Sequence, residues 1–98
     1  MNDYKVYGVI GGVLQEIKLS DSELEEKRFT VFVRFNNGNA GYYKETPEHG
    51  TVYYNPYTMR DVPVFPYRYA KAVVETISYY PNVLDAIIVD ARNPIKRG

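Results

Sequence analysis

Residues 66–92 read PYRYAKAVVETISYYPNVLDAIIVDAR, and this stretch decides the fold. At about 100° per residue, Ala70, Val73, Val74, Ile77 and Tyr80 fall on one side of a helix, with Arg68, Lys71, Glu75 and Tyr79 opposite. Pro66 suits a first turn, since its φ is already helical and its missing N–H has no helical partner to lose. Pro81 stops the helix and Asn82 starts a turn, so the pattern predicts one main helix over 66–80. Residues 83–91 then form a strand in which Leu84, Ala86 and Ile88 point one way and Val83, Ile87, Val89 and Ala91 the other. A strand apolar on both faces belongs at the centre of a sheet with cover on both sides. One substantial helix covers one face. The other is left to the tyrosine-rich segment folded back, to a turn at 20–27, or to another chain.

Working outward, residues 4–10 and 13–19 flank Gly11-Gly12, a pair that tolerates the positive φ values of a two-residue hairpin turn. The second strand alternates, with Val13, Ile17 and Leu19 on one face and Glu16 and Lys18 beside Leu14 on the other. Ser20 and Glu23 have capping-box spacing and predict a short helical turn at 21–27. Residues 28–35 are the clearest strand: Phe29, Val31, Val33 and Phe35 form its core face, and Arg28, Thr30, Phe32 and Arg34 the opposite one. Asn37-Gly38 is a strong hairpin signal, so residues 40–46 should return antiparallel. Between 40 and 65, Pro47, Gly50, Pro56 and Pro63 interrupt the pattern, and only 51–54 reads as another strand. The expectation is a single α+β domain spanning 1–98. It has an antiparallel sheet of about five strands and one main C-terminal helix, 66–80, followed by a central strand, 83–91.

Composition agrees with a folded globular chain. The 98 residues suit one core, and 45% hydrophobic with 24% charged residues lies far from the signature of disorder. The absence of cysteine removes disulfides, thiolate metal sites and cysteine nucleophiles together. No apolar run approaches a membrane span, and Met1-Asn2-Asp3 opens a polar N-terminus without a signal-peptide pattern, so no membrane role and a cytoplasmic location are expected. Net charge is zero, yet unevenly laid out: acids dominate 1–26, whereas Arg92, Lys96 and Arg97 crowd the last residues. The uneven charge reads either as a solvated surface or as a basic edge for an acidic partner.

No motif carries a named chemistry. The one histidine, His49, sits in a Pro-Glu-His-Gly turn beside Glu45 and Glu48; without cysteine it makes a common zinc site only if carboxylates fill the other positions, and it reads as a polar residue in an exposed turn. No Gly-x-Ser-x-Gly elbow is present. Asp85 and Asp90 lie five apart on one strand and so on opposite faces, which denies them a shared cleft. The glycines of the first hairpin precede no helix whose N-terminus could cradle phosphate. The expectation is a non-catalytic protein with no cofactor and no metal.

What stands out is tyrosine: seven of the eleven lie between Tyr42 and Tyr69. Tyrosine gives large amphipathic contact area at low entropy cost, which favours a protein-binding surface on a loop-rich segment. The candidate contact residues are Tyr42, Tyr43, Tyr53, Tyr54, Tyr57, Arg60, Tyr67 and Arg68. The alternative is single-stranded nucleic acid, with the rings stacking on bases and Arg34, Lys44, Arg60, Arg68 and Lys71 touching phosphates; zero net charge weighs against it. A third reading folds the rings over the open sheet face as core. A homo-oligomer is permitted and not required.

The ending Tyr79-Tyr80-Pro81-Asn82, followed by Val83 to Arg92, resembles the helix–strand endings of small uncharacterised phage and archaeal-virus accessory proteins. The compact, cysteine-free, tyrosine-rich chain is similar to theirs as well. The resemblance covers about the last 30 residues. It implies a virus-encoded accessory protein that acts by binding, for which the expected cytoplasmic location would be that of the host cell.

Overall fold

The computed structural model describes residues 4–48, 50–54 and 62–95. Within them lie β1 (Val6–Ile10), β2 (Val13–Ile17), α1 (Asp21–Leu24), β3 (Phe29–Phe35), β4 (Ala40–Thr46), β5 (Gly50–Tyr54), α2 (Tyr67–Ile77) and β6 (Val83–Asp90). Gly11 and Gly12 take φ of 60° and 80° and close the β1–β2 hairpin. The Ser20 hydroxyl accepts from the Glu23 N–H at 3.3 Å while Glu23 accepts from the Ser20 N–H at 3.0 Å, the expected capping box. It opens a helix that stops at Leu24 and not at 27.

The strands form one six-stranded sheet, β2-β1-β6-β3-β4-β5. The sheet is mixed, which corrects the expectation of about five antiparallel strands: β1 runs parallel to β6, and every other pairing is antiparallel. Hydrophobic alternation encodes which face a residue takes and not which way its strand runs. Short turns force β1–β2, β3–β4 and β4–β5 to be antiparallel, whereas β1 and β6 have nearly the whole chain between them and are free of that constraint. β6 is central as expected, lying between β1 and β3.

Helix α2 is shorter than 66–80. Pro66 is its N-cap, at φ −63° and ψ 158°, and Ser78 its C-cap, the Ser78 hydroxyl donating to the Val74 carbonyl at 2.7 Å. Tyr80, directly before Pro81, is pushed away from helical backbone by the proline ring, so the helix ends a turn early. In β6 the faces also shift. Arg34 pairs with Asp85 but Phe35 with Val83, leaving Leu84 as an extra residue in a bulge. Val83 therefore joins Ala86 on the α2 side, and Leu84 is 60% exposed.

On the α2 side, Phe29, Val31, Val33, Val6 and Ile88 pack beneath Ala70, Val73, Val74 and Ile77. Burying each such aliphatic or phenyl side chain is worth about 1.5–3 kcal/mol. α1 adds Leu24 to this same core. The opposite face holds Tyr42, Val62 and Val89, with Phe32, Ile87 and Ile95 around them. Its cover is the chain's own: Val62, from the tyrosine-rich segment, and the stretch after β6, where the Ile95 N–H donates to the Tyr42 hydroxyl at 2.9 Å and that hydroxyl lies 3.0 Å from the Ile95 carbonyl, to which it donates.

Gly8 marks how tightly that stretch is held. A Cβ there would stand 2.8 Å from Asn93 Cβ and 3.2 Å from the Asn93 carbonyl oxygen, and would also collide with the Ile17 side chain. Ile17 has a flexible tip that moves aside. Asn93 is pinned, since its carbonyl accepts from the Val9 N–H at 2.8 Å and its N–H donates to the Asp90 carbonyl at 2.9 Å. Gly8→Ala is expected to lower unfolding free energy by about 1–3 kcal/mol in urea titration; a change under about 0.5 kcal/mol, the usual scatter of neutral sites, would show that Asn93 yields freely.

Candidate functional site

β4 pairs with β3 only through Ala40, Gly41 and Tyr42. Further along, Phe29 exchanges both of its backbone hydrogen bonds with Phe65, at 3.0 and 2.7 Å, and the rest of β4 is left with β5 alone. The β4–β5 hairpin and α2 thereby enclose a groove of about 270 Å³. Strand alternation places Tyr43 and Glu45 of β4 on its hairpin wall, with Thr51 of β5 directly opposite Glu45. Helical spacing supplies the facing wall: Tyr69, Ala72, Val73, Thr76 and Ile77, continued by Tyr80.

The rings of this site support one another. Tyr43 lies edge-on to Tyr53 at 6.2 Å and to Phe65 at 6.5 Å, Tyr53 edge-on to Phe35 at 4.9 Å, and Tyr69 rests tilted on Phe65 at 4.6 Å. The Tyr43 hydroxyl donates to Glu45 at 2.5 Å. Burial first, and the adjacent Glu45 carboxylate second, push its ionisation well above the ordinary tyrosine range. Burial also raises Tyr53. Tyr69 and Tyr80 are each 46% exposed, so the walls offer aromatic surface to solvent.

The sequence candidates divide. Tyr43 and Tyr53 belong to this side of the sheet. Tyr42, one residue away, points to the opposite face and is 1% exposed, its hydroxyl pushed up to about 12 by burial; this takes it out of any contact surface. Tyr67 stands edge-on to Phe29 at 6.2 Å and donates its hydroxyl to the Tyr4 carbonyl at 2.7 Å, a structural placement. Arg68 is exposed beside α1, in a cleft with Asp21 and Glu25. Tyr57, Arg60 and His49 lie outside the described residues, as does the Tyr54 side chain. Glu45, Thr51 and Tyr69 fall within the tyrosine-rich segment 42–69 expected to form the contact surface but were not singled out in it, and Thr76 and Tyr80 lie outside that segment. The two-residue step from Tyr43 to Glu45 and the 69/72/73/76/77/80 helical stripe were the signals that could have found them.

The carboxylates of β6 are each committed to an arginine. Asp85 takes two hydrogen bonds from Arg34, Nε at 2.8 Å and the neighbouring NH2 group on its other oxygen, which hold its carboxyl below the usual range. Asp90 takes two from Arg28. Among the described residues no helix is long and apolar enough to cross a membrane. No family model matches the sequence, and neither does any curated protein or solved structure.

Proposed function

We propose that this chain is a non-catalytic binding domain that holds a protein partner in the groove between α2 and the β4–β5 hairpin. The observation that carries this reading is a groove walled by Tyr43, Tyr69 and Tyr80, with Tyr69 and Tyr80 half exposed while their neighbours are braced from behind. Rigid, partly exposed tyrosines are the side chains from which binding hot spots are built. Tyr43 keeps its place in the surface, Tyr42 and Tyr67 leave it, and Glu45, Tyr69 and Tyr80 join it. The nucleic-acid alternative draws on the same rings but loses a phosphate contact, because Arg34 is engaged by Asp85. In the setting suggested by the resemblance of the C-terminal ending, the domain is a virus-encoded accessory protein working in the host cytoplasm.

The test is affinity for a partner recovered from the native host. Tyr69→Ala with Tyr80→Ala is expected to weaken it at least about tenfold, equivalent to about 1.4 kcal/mol. Tyr79→Ala, at an 87% exposed ring outside the groove, should leave it unchanged. Equal affinity of the double variant and the native chain would remove the groove from the interface. Salt-sensitive binding of oligonucleotides, lost in the same double variant, would favour the nucleic-acid reading instead.

A further inference from the structure

We infer that the groove is a receptor for a cationic side chain, an arginine or lysine presented by the partner. This rests on the protein-binding reading and specifies the chemistry of its occupant. Glu45 is the charged residue of a groove whose other lining is aromatic, aliphatic and threonine side chains, and neither lysine nor arginine lines it among the described residues. The Tyr43 hydroxyl donates to Glu45 Oε1 at 2.5 Å, which orients the carboxylate, while Oε2 has no hydrogen-bond partner among the described residues. The Thr76 hydroxyl already donates to the Ala72 carbonyl at 3.0 Å. Tyr43 and Thr76 have thus committed their protons, and what they and Glu45 offer an incoming group is acceptor lone pairs. A ligand rich in donors and carrying positive charge answers all three, as guanidinium with five N–H groups or ammonium with three does.

The rest of the lining suits the same side chain. Tyr43, Tyr69 and Tyr80 line the same groove, and aromatic faces attract a cation lying within about 6 Å of a ring centre. Ala72, Val73 and Ile77 provide apolar surface for the methylene stem of lysine or arginine. At about 270 Å³ the groove is smaller than the roughly 300–1,000 Å³ of sites for drug-sized ligands, so one long side chain is what it fits.

The experiment is an NMR titration of the whole chain with N-acetyl-arginine amide and N-acetyl-lysine amide, beside N-acetyl-norleucine amide as the uncharged stem. The expected result is saturable movement of the Tyr43, Tyr69 and Tyr80 ring signals with at least one cationic probe, the tighter of the two naming the preferred side chain. Binding of norleucine amide to the native chain, and of the cationic probes to Glu45→Gln, should each be at least about tenfold weaker, with the backbone spectrum of that variant unchanged elsewhere. Equal binding of norleucine amide, equal binding by Glu45→Gln, or cationic probes that move only signals outside the groove each overturn the inference. None of these outcomes touches partner affinity in the Tyr69→Ala, Tyr80→Ala variant, so a failure of this inference and a failure of the protein-binding reading are told apart.

Discussion

Arg28→Met lowers the free energy of unfolding by about 3–5 kcal/mol at neutral pH, the cost of leaving one partner of a buried ion pair alone. Arg28 is 8% exposed and Asp90 0%, and they meet through Nε to Oδ1 at 3.2 Å and NH2 to Oδ2 at 2.7 Å. Without the guanidinium, Asp90 keeps the Arg92 N–H at 3.0 Å and a hydrogen bond from the Asn93 side chain, neither of which replaces the paired charge. The pair does more than join β3 to β6. Arg28 also lies 3.4 Å from Glu23 and 3.8 Å from Glu26, so it anchors α1 to the sheet, and Arg92 bonds Glu26 at 3.1 Å from the other side.

The pH dependence separates this mechanism from simple loss of packing. Burial alone would raise the Asp90 carboxyl, but the Arg28 hydrogen bonds and charge, the Arg92 N–H and the Asn93 side chain together outweigh it, and the group is held below its ordinary value. A carboxyl depressed in the folded state contributes stability that is present above the unfolded value of about 3.9 and lost as pH falls through the folded one. In Arg28→Met only the Arg92 N–H and the Asn93 side chain still oppose the burial effect, so the folded carboxyl moves up. The deficit of the variant should therefore be largest near pH 7 and shrink toward pH 4, as read in urea titrations across that range. A deficit below about 1 kcal/mol, the scale of an exposed pair, or one that does not vary with pH, would mean that the pair is solvated in solution.

Neither partner of this pair was legible as such in the sequence, and the reason is general to the chain. Arg28 reads as the first polar residue of a strand face and Asp90 as one of two carboxylates on another strand; only the β3–β6 register, which sets Phe29 against Asp90, brings them together. Local signals fared better. The core face of β3, the Asn37-Gly38 turn, the Ser20–Glu23 box and the central place of β6 all follow from spacing within a few residues, and all are present. The direction of β1 against β6 and the bulge at Leu84 depend on pairing between segments far apart, which periodicity does not encode. The same limit applied to the site. Two adjacent tyrosines on a strand must face opposite ways, so Tyr42 and Tyr43 were separable from sequence alone. That Phe65 would take the place of β4 beside Phe29, and so open the groove, was not.

Tyr42→Ala is the second large effect expected, at about 3–5 kcal/mol, the range for deleting a buried aromatic ring. The ring is edge-on to Phe32 at 5.1 Å and shares its cluster with Val62 and Val89, while the hydroxyl makes both hydrogen bonds that seat Ile95. Its loss empties the far face and unfastens the stretch that covers it. Tyr42→Phe divides the two roles: the ring contacts stay, and the Ile95 N–H and carbonyl lose their partner at a cost of about 1–2 kcal/mol. Ile95 is half-buried, so water reaches those groups and keeps the cost from rising further. Hydrogen exchange reads the difference directly. Amide exchange at Ile95 should speed up strongly in Tyr42→Phe while Val89, on central β6, stays protected; in Tyr42→Ala protection should fall at both. If Ile95 exchanges as slowly in Tyr42→Phe as in the native chain, packing of Ile95 against the cluster holds that stretch in place, and the hydroxyl is incidental to it.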